Sequence, residues 1–204
     1  MLKRVAAFLL IMALWKFDSV AQVVTYANLS EKFIFQINAV KITGDNEMSF
    51  KKIVYLNIYQ KNSKIVQKIK FTSGDLYDAF KSDSSARSYI TGKNKNAEVD
   101  DCDFGDIVVA DLNFDGKEDI AVKYNYTVDA GPTYLFYIQD SSGHFKLDHY
   151  LTNNVEFFPQ YINAKHKTLT TQVHANVSQE GKKTFRYNSS TKKWHLIRWI
   201  MIEG

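Results

Sequence analysis

Of the chain's 204 residues, the first 21 read as a targeting segment, and the 183 that remain suffice for one domain with a real core. The formal charge of +4 falls to +2 when Lys3, Arg4, Lys16 and Asp18 leave with that segment. A balance so small, with no basic stripe interleaved with aromatics, argues against nucleic acid as a partner. Cys102 is the single cysteine, which excludes an intrachain disulfide.

Lys3 and Arg4 precede an apolar run from Val5 to Trp15, and Ser19-Val20-Ala21 is a small-x-small cleavage site. A signal peptide over 1–21 with a mature domain over 22–204 is expected, in the periplasm or secreted. The run falls short of the ~20 apolar residues that span a bilayer, and no later segment reaches that length. Lys32 to Ile42 is expected as a strand ended by the turn at Thr43–Asn46. Lys52–Tyr59 and Lys64–Phe71 then form a hairpin, with Ile65, Ile69 and Phe71 inward and Lys64, Lys68 and Lys70 outward. Asp75–Lys81 is the one expected helix, with Leu76 and Phe80 four residues apart on one face. Ser82–Gly105 reads as loop with a short strand at Ser88–Thr91 and an acidic end at Asp100–Asp106. Further strands are expected at Tyr134–Gln139, His144–Tyr150, Val155–Ile162 and Lys167–Val177, with a last hairpin of Thr184–Tyr187 and Trp194–Ile202. Aromatic and β-branched residues dominate, and there are only two prolines. The expected fold is all-β: one domain of antiparallel strands and hairpins, propeller-like or a β-sandwich, with at most one short helix. Two hairpins echo each other about fifty residues apart, Tyr137–Phe145 and Tyr187–Trp194.

The chemistry concentrates in Asp111-Leu-Asn113-Phe-Asp115-Gly116-Lys117-Glu118-Asp119. Oxygen side chains recur at alternate positions, and Gly116 permits a sharp bend. A hard cation such as Ca²⁺ takes six to eight oxygens, and this loop can supply most of them. The expected ligands are the side chains of Asp111, Asn113, Asp115 and Asp119 and the backbone carbonyl of Lys117. An EF-hand is excluded, because Val122 stands where its bidentate Glu belongs, and β-branched runs rather than helices flank the loop. Asp101 and Asp103 are weighed as further ligands against a plain solvated loop.

An Asp-x-Asn-x-Asp-Gly-x-x-Asp loop between two apolar strands resembles the calcium loops of FG-GAP and VCBS-type proteins, known from integrin-like β-propellers. The run DLNFDGKEDIAV followed by TYLFYIQDSSGHF also resembles a family of exported bacterial proteins. Some members of that family are periplasmic calcium-binding inhibitors of lysozyme-like hydrolases. FG-GAP proteins usually carry several such loops and this chain carries one, which argues against a full multi-blade propeller. The resemblance implies a bound Ca²⁺ and a protein partner of the lysozyme type.

No HExxH, no Gly-x-Ser-x-Gly elbow and no phosphate-cradling glycine loop is present. The acidic surroundings of Cys102 disfavour its thiolate. The expectation is therefore a binding protein and not an enzyme. Two rivals stand beside it: an adhesive or glycan-binding module stabilised by calcium, and a hydrolase with a structural calcium. The expected binding loop runs from Asn125 to Tyr134, with Tyr126 and Tyr134 as anchors and Gly131-Pro132 as its stiffener.

Overall fold

The computed structural model describes residues 22–42, 51–62, 64–74, 76, 79–127, 131–176 and 179–202. The expected signal peptide lies outside the described residues, as do the turn at 43–46 and three residues of the expected helix, Asp75, Tyr77 and Asp78. Among the described residues, thirteen strands, β1 to β13, form three sheets in chain order. The first is a meander of β1 (Gln22–Tyr26), β2 (Phe33–Lys41), β3 (Lys52–Gln60) and β4 (Ile65–Thr72). The second joins β5 (Ala86–Ser88), β6 (Ile107–Ala110), β7 (Asp119–Thr127), β8 (Gly131–Gln139) and β9 (Phe145–Leu147). The third is again a meander, of β10 (Tyr161–Asn163), β11 (Thr168–Asn176), β12 (Gln179–Asn188) and β13 (Lys193–Ile202). All pairings are antiparallel except β5 with β6. The expectation of one all-β domain holds. The architecture is a stack of three sheets, and among the described residues none closes into a barrel.

The central sheet is apolar on both faces because each face is covered. Ile107, Val109, Ile120, Val122, Leu135 and Tyr137 point into a core shared with the first sheet, against Phe33, Phe35, Ile37 and Leu56. Val108, Ala110, Ala121, Tyr134 and Phe136 point the other way, into a core shared with Leu169, Phe185 and Trp194 of the third sheet. The period of two along each strand thus sorts residues between two cores rather than between core and water. Sheets that lean on each other through one shared layer bury far more apolar surface than an isolated meander could.

Five local expectations need correction. Ile65 is 40% exposed: β4 pairs Gln67 with Ile58 and Ile65 with Tyr59, so Val66 is extra and the strand changes face there. Val66 takes the inward role beside Ile69 and Phe71. His144–Tyr150 is not one strand, because β9 stops at Leu147. The Asp148 side chain then accepts the Leu151 N–H at 2.9 Å and caps the short helix α1 (His149–Asn154). Val155–Ile162 is largely coil that buries Phe157 and drops Val155 and Phe158 into the second core before β10 begins at Tyr161. The strand expected at 88–91 lies at 86–88, parallel to β6. Phe80, expected in a helix, has φ 64° and is buried with its N–H on the Asp106 carboxylate at 2.6 Å. The two echoing hairpins are the last hairpins of the second and third sheets, β8–β9 and β12–β13. Among the described residues, no helix is long and apolar enough to cross a membrane.

Candidate metal loop and its surroundings

The oxygen-rich segment is the connection between β6 and β7, at one end of the central sheet. It is wound by its own side chains. The Asp115 N–H donates to Asp111 Oδ1 at 3.0 Å and to Asn113 Oδ1 at 3.1 Å, so these two oxygens converge on one point. The Gly116 N–H reaches Asp111 Oδ2 at 2.9 Å, and the Lys117 N–H reaches Asp115 Oδ1 at 3.0 Å. Gly116 has φ 80°, the left-handed geometry its position in the bend requires. Phe114 also has a positive φ, 61°, and its ring lies against Trp194 with centroids 6.3 Å apart.

Asp119 closes the loop from inside. It is fully buried, and its Oδ2 accepts the N–H groups of Leu112 (2.9 Å) and Asn113 (3.3 Å) while Oδ1 accepts that of Gln139 (2.8 Å). Burial pushes its pKa up to about 7 against the pull of those three N–H bonds. The donor chemistry suits a hard cation: all oxygen, three carboxylates and one amide, and each carboxylate keeps at least one lone pair beyond those its N–H partners occupy, although both on Asp119 Oδ2 are taken. One feature departs from the expected set: the Asp119 oxygens face backbone donors. Among the described residues no three acidic, His or Cys side chains are drawn together as a ready-made metal cluster.

Glu118, to which the sequence pattern gave no role, is buried and reaches out to the β1–β2 connection of the first sheet. Its Oε2 accepts the Ser30 hydroxyl, and its Oε1 accepts the Glu31 N–H at 3.0 Å. The loop therefore touches all three sheets: the first through Glu118, the strand β8 through Asp119, and β13 through Phe114.

Asp101 and Asp103 are engaged elsewhere. Asp103 forms an ion pair with the Lys123 ammonium at 2.7 Å, and Asp106 forms a second at 3.1 Å. Burial pulls the Lys123 pKa down, but Asp106 and Asp103 outweigh it and the value ends above the ordinary one. Asp106 is itself buried and accepts the Ser85 hydroxyl at 2.6 Å as well. Asp101 accepts the Tyr126 hydroxyl at 3.1 Å.

The expected binding loop is mostly strand. β7 continues to Thr127 and β8 starts at Gly131, which leaves a tip of residues 128–130 outside the described residues. Tyr134 is a core residue, 1% exposed, and its hydroxyl accepts the Phe104 N–H at 3.1 Å. It is therefore corrected from anchor to packing residue, because the second core needs its ring beside Phe136 and Phe158. Gly131 and Pro132 are also buried, and a Cβ on Gly131 would come within 2.9 Å of the Phe157 ring. Tyr126 is only partly buried and remains available at the surface.

Two other constellations bear on chemistry. In the β8–β9 turn, the Ser142 hydroxyl donates to Asp140 Oδ1 at 2.6 Å and lies 3.0 Å from His144 Nδ1. A nucleophilic triad needs the His between the Ser and the carboxylate. Here the Ser stands between them, so the cluster is a turn that braces itself. A cleft of about 530 Å³ opens where residues 95–104 face the third sheet. Gln160 Nε2 donates to Gln172 Oε1 at 2.5 Å, and Gln172 in turn donates to Glu180 across it. The Cys102 thiol on its wall is pushed up by burial and then by Glu180 and Asp101, which disfavours its thiolate.

No protein-family model matches the sequence, and no curated protein matches it. A solved structure described as that of a Xanthomonas type IV secretion system related protein matches 87% of this chain and 86% of its own. The identity is 14% and the TM-score 0.55, a likeness of fold.

Proposed function

We propose that this chain is an exported calcium-binding protein that acts by binding another macromolecule, a cell-wall hydrolase of the lysozyme type, and performs no catalysis itself. The observation that carries the reading is the 111–119 loop, where Asp111 and Asn113 aim their oxygens at one point beside Asp115. Asp111, Asn113, Asp115, the Lys117 carbonyl and Asp119 would hold the ion. A bound Ca²⁺ would supply positive charge that offsets the three carboxylates. Export agrees with the apolar N-terminal run and with the type IV secretion system relation stated for the structurally similar Xanthomonas protein. The hydrolase as target rests on the resemblance of the DLNFDGKEDIAV run to periplasmic inhibitors.

The surface best placed for a target is the end where Tyr126 meets Asp101, next to the cleft that Tyr161 and Gln160 border. It is braced in advance, because Gly131 and Pro132 are packed and the Asp100–Asp103 turn is closed by an N–H bond of 2.8 Å. A braced loop loses less entropy on association.

Melting curves in millimolar Ca²⁺ and in chelator test the ion. A ligand at a hundredfold excess over its Kd stabilises the folded state by about 2.7 kcal/mol, so a rise of several degrees is expected, and Asp115→Ala should abolish it. Superimposed curves in the two conditions rule the ion out. Turnover of cell-wall substrate by lysozyme-type enzymes, with and without this protein, tests the target. Inhibition should weaken by about 2 kcal/mol in Tyr126→Ala if that ring is a hot spot, at unchanged melting temperature. Undiminished hydrolysis across such enzymes would end the inhibitor reading and leave the ion standing.

A further inference from the structure

From Phe157 to Ile202 the chain carries eight lysines and arginines against the single Glu180, a balance of +7 where the whole chain has +4. The small overall charge therefore hides a strongly basic third sheet. Two hairpin tips lie side by side at one end of it, 163–168 and 188–193, tied by the Lys167 ammonium on the Ser189 hydroxyl at 2.6 Å. Between them is a cleft of about 700 Å³ lined by Lys165, His166, Lys167, Arg186 and His195, with no carboxylate among the described residues on its wall. Lys167 and Lys192 both have positive φ (52° and 53°), a geometry that favours glycine or asparagine, yet both turns carry lysine there. Among the described residues, Lys183 is the one cation of this sheet with a carboxylate partner.

The neighbouring edge strand adds a second, independent feature. β13 is the outermost strand of the sheet, and Leu196, Ile197, Trp199, Ile200 and Met201 are all large, apolar and exposed. Trp199 is the most open of them at 55%. Exposed edges are usually blunted with charges, as β4 is by Lys68 and Lys70. From Trp194 to Ile202 β13 carries only Arg198 as a permanent charge. Ile197 belongs to both features, since it also lines the basic cleft.

We propose that the basic hairpin end of the third sheet and the β13 edge that runs away from it together form a docking surface for an anionic lipid bilayer. Lys165, Lys167 and Arg186 would meet headgroup phosphates, and the apolar side chains of β13 would enter the boundary between headgroups and acyl chains. The pairing of charge with apolar surface selects this occupant. A soluble polyanion would use the cations and leave β13 in water. A second copy paired along β13 would bury the apolar edge but bring two sheets of +7 together. A bilayer with acidic headgroups satisfies both features at once.

The test uses the full chain and sedimentation with vesicles of phosphatidylglycerol and phosphatidylcholine, beside vesicles of phosphatidylcholine alone. Any pull from the apolar N-terminal run acts on both kinds, so the difference between them reports the basic surface. Binding should favour the anionic vesicles and weaken at 0.5 M salt. Each cation near such a surface contributes roughly fivefold, so Lys165→Gln, Lys167→Gln and Arg186→Gln combined should weaken binding on the order of a hundredfold. Each single variant should cost about fivefold, which serves should the triple variant fail to fold. Tryptophan emission should shift to the blue on anionic vesicles, and most of that shift should vanish in Trp199→Phe. Equal binding to both vesicles, or anionic binding unchanged in the variants, overturns the proposal. So does a stable dimer that Ile200→Lys dissociates, with no vesicle binding by either form.

Discussion

Lys123 shows how one residue can read one way in sequence and another in place. On a strand flanked by water it would be an outward lysine. Here both faces of β7 are covered, so its ammonium is buried and must find carboxylates, which Asp103 and Asp106 supply. The acidic run at 100–106 was visible in the sequence as a charge cluster, but its partner lies some twenty residues on, beyond the reach of local spacing. Glu118 and Tyr134 follow the same logic, for each is fixed by a distant partner, Ser30 in one case and the Phe104 N–H in the other. Removing one member of a buried ion pair leaves the other charged and unpaired, at about 3–5 kcal/mol. Lys123→Met should lower the unfolding free energy in urea by about 3 kcal/mol, and adding Asp106→Asn should recover part of it. The pH dependence follows from a folded-state pKa raised above the ordinary lysine value of ~10.4. The stabilisation is fully present below that value and is lost as pH rises through the higher folded one. The gap between parent and Lys123→Met should stay constant from pH 7 to about 10 and then close. A gap under 0.5 kcal/mol at pH 7 would show that the pair is solvated.

At the scale of elements, long apolar or alternating runs announced themselves: β2, β3, β6, β11 and β13 lie where the pattern put them, and β7 begins there but runs on into the expected binding loop. What stayed hidden was set by pairing. The change of face in β4 comes from one unpaired residue, and no period in Ile65–Thr72 reveals it. The helix α1 is only six residues long, held by the Asp148 cap and by packing of Leu151, and its sequence has no apolar repeat. The parallel entry of β5 depends on Gly105. It has φ 110°, and a Cβ there would stand 2.2 Å from the Ser85 carbonyl oxygen. That oxygen already accepts the Asp106 N–H, the bond that starts the β5–β6 pairing. Gly105→Ala should therefore cost about 3 kcal/mol, from the unfavourable backbone region and the displaced strand together. Circular dichroism during urea unfolding measures it. A loss below 1 kcal/mol would mean that β5 can shift without harm to the central sheet.

For the whole molecule, the position of the 111–119 loop matters more than its ligand list. The motif and its strand-flanked setting were legible, because oxygen spacing is a local property. Its reach was not, because Glu118–Ser30 and Phe114–Trp194 are contacts between sheets. Through these and through Asp119 on the Gln139 N–H, the loop holds the first sheet, the strand β8 and the third sheet at one end. An ion bound there would stabilise the stack as a unit. Ligand binding to the folded state alone raises the free energy of every opening that destroys the site. If opening any sheet disturbs the loop, calcium should slow amide exchange in all three sheets together. The strands to follow are β3, β8 and β12, which are interior to their sheets and have hydrogen-bonded neighbours on both sides. The expected result in millimolar calcium against chelator is a similar slowing in each of them, and no slowing in any of them in Asp115→Ala. Protection confined to residues 111–119 would contradict the coupling, because the sheets would then open without the loop. A slowing of β8 that leaves β3 unchanged would single out the Glu118–Ser30 link as too weak to carry it, and Glu118→Gln should then leave the melting temperature in calcium unaltered.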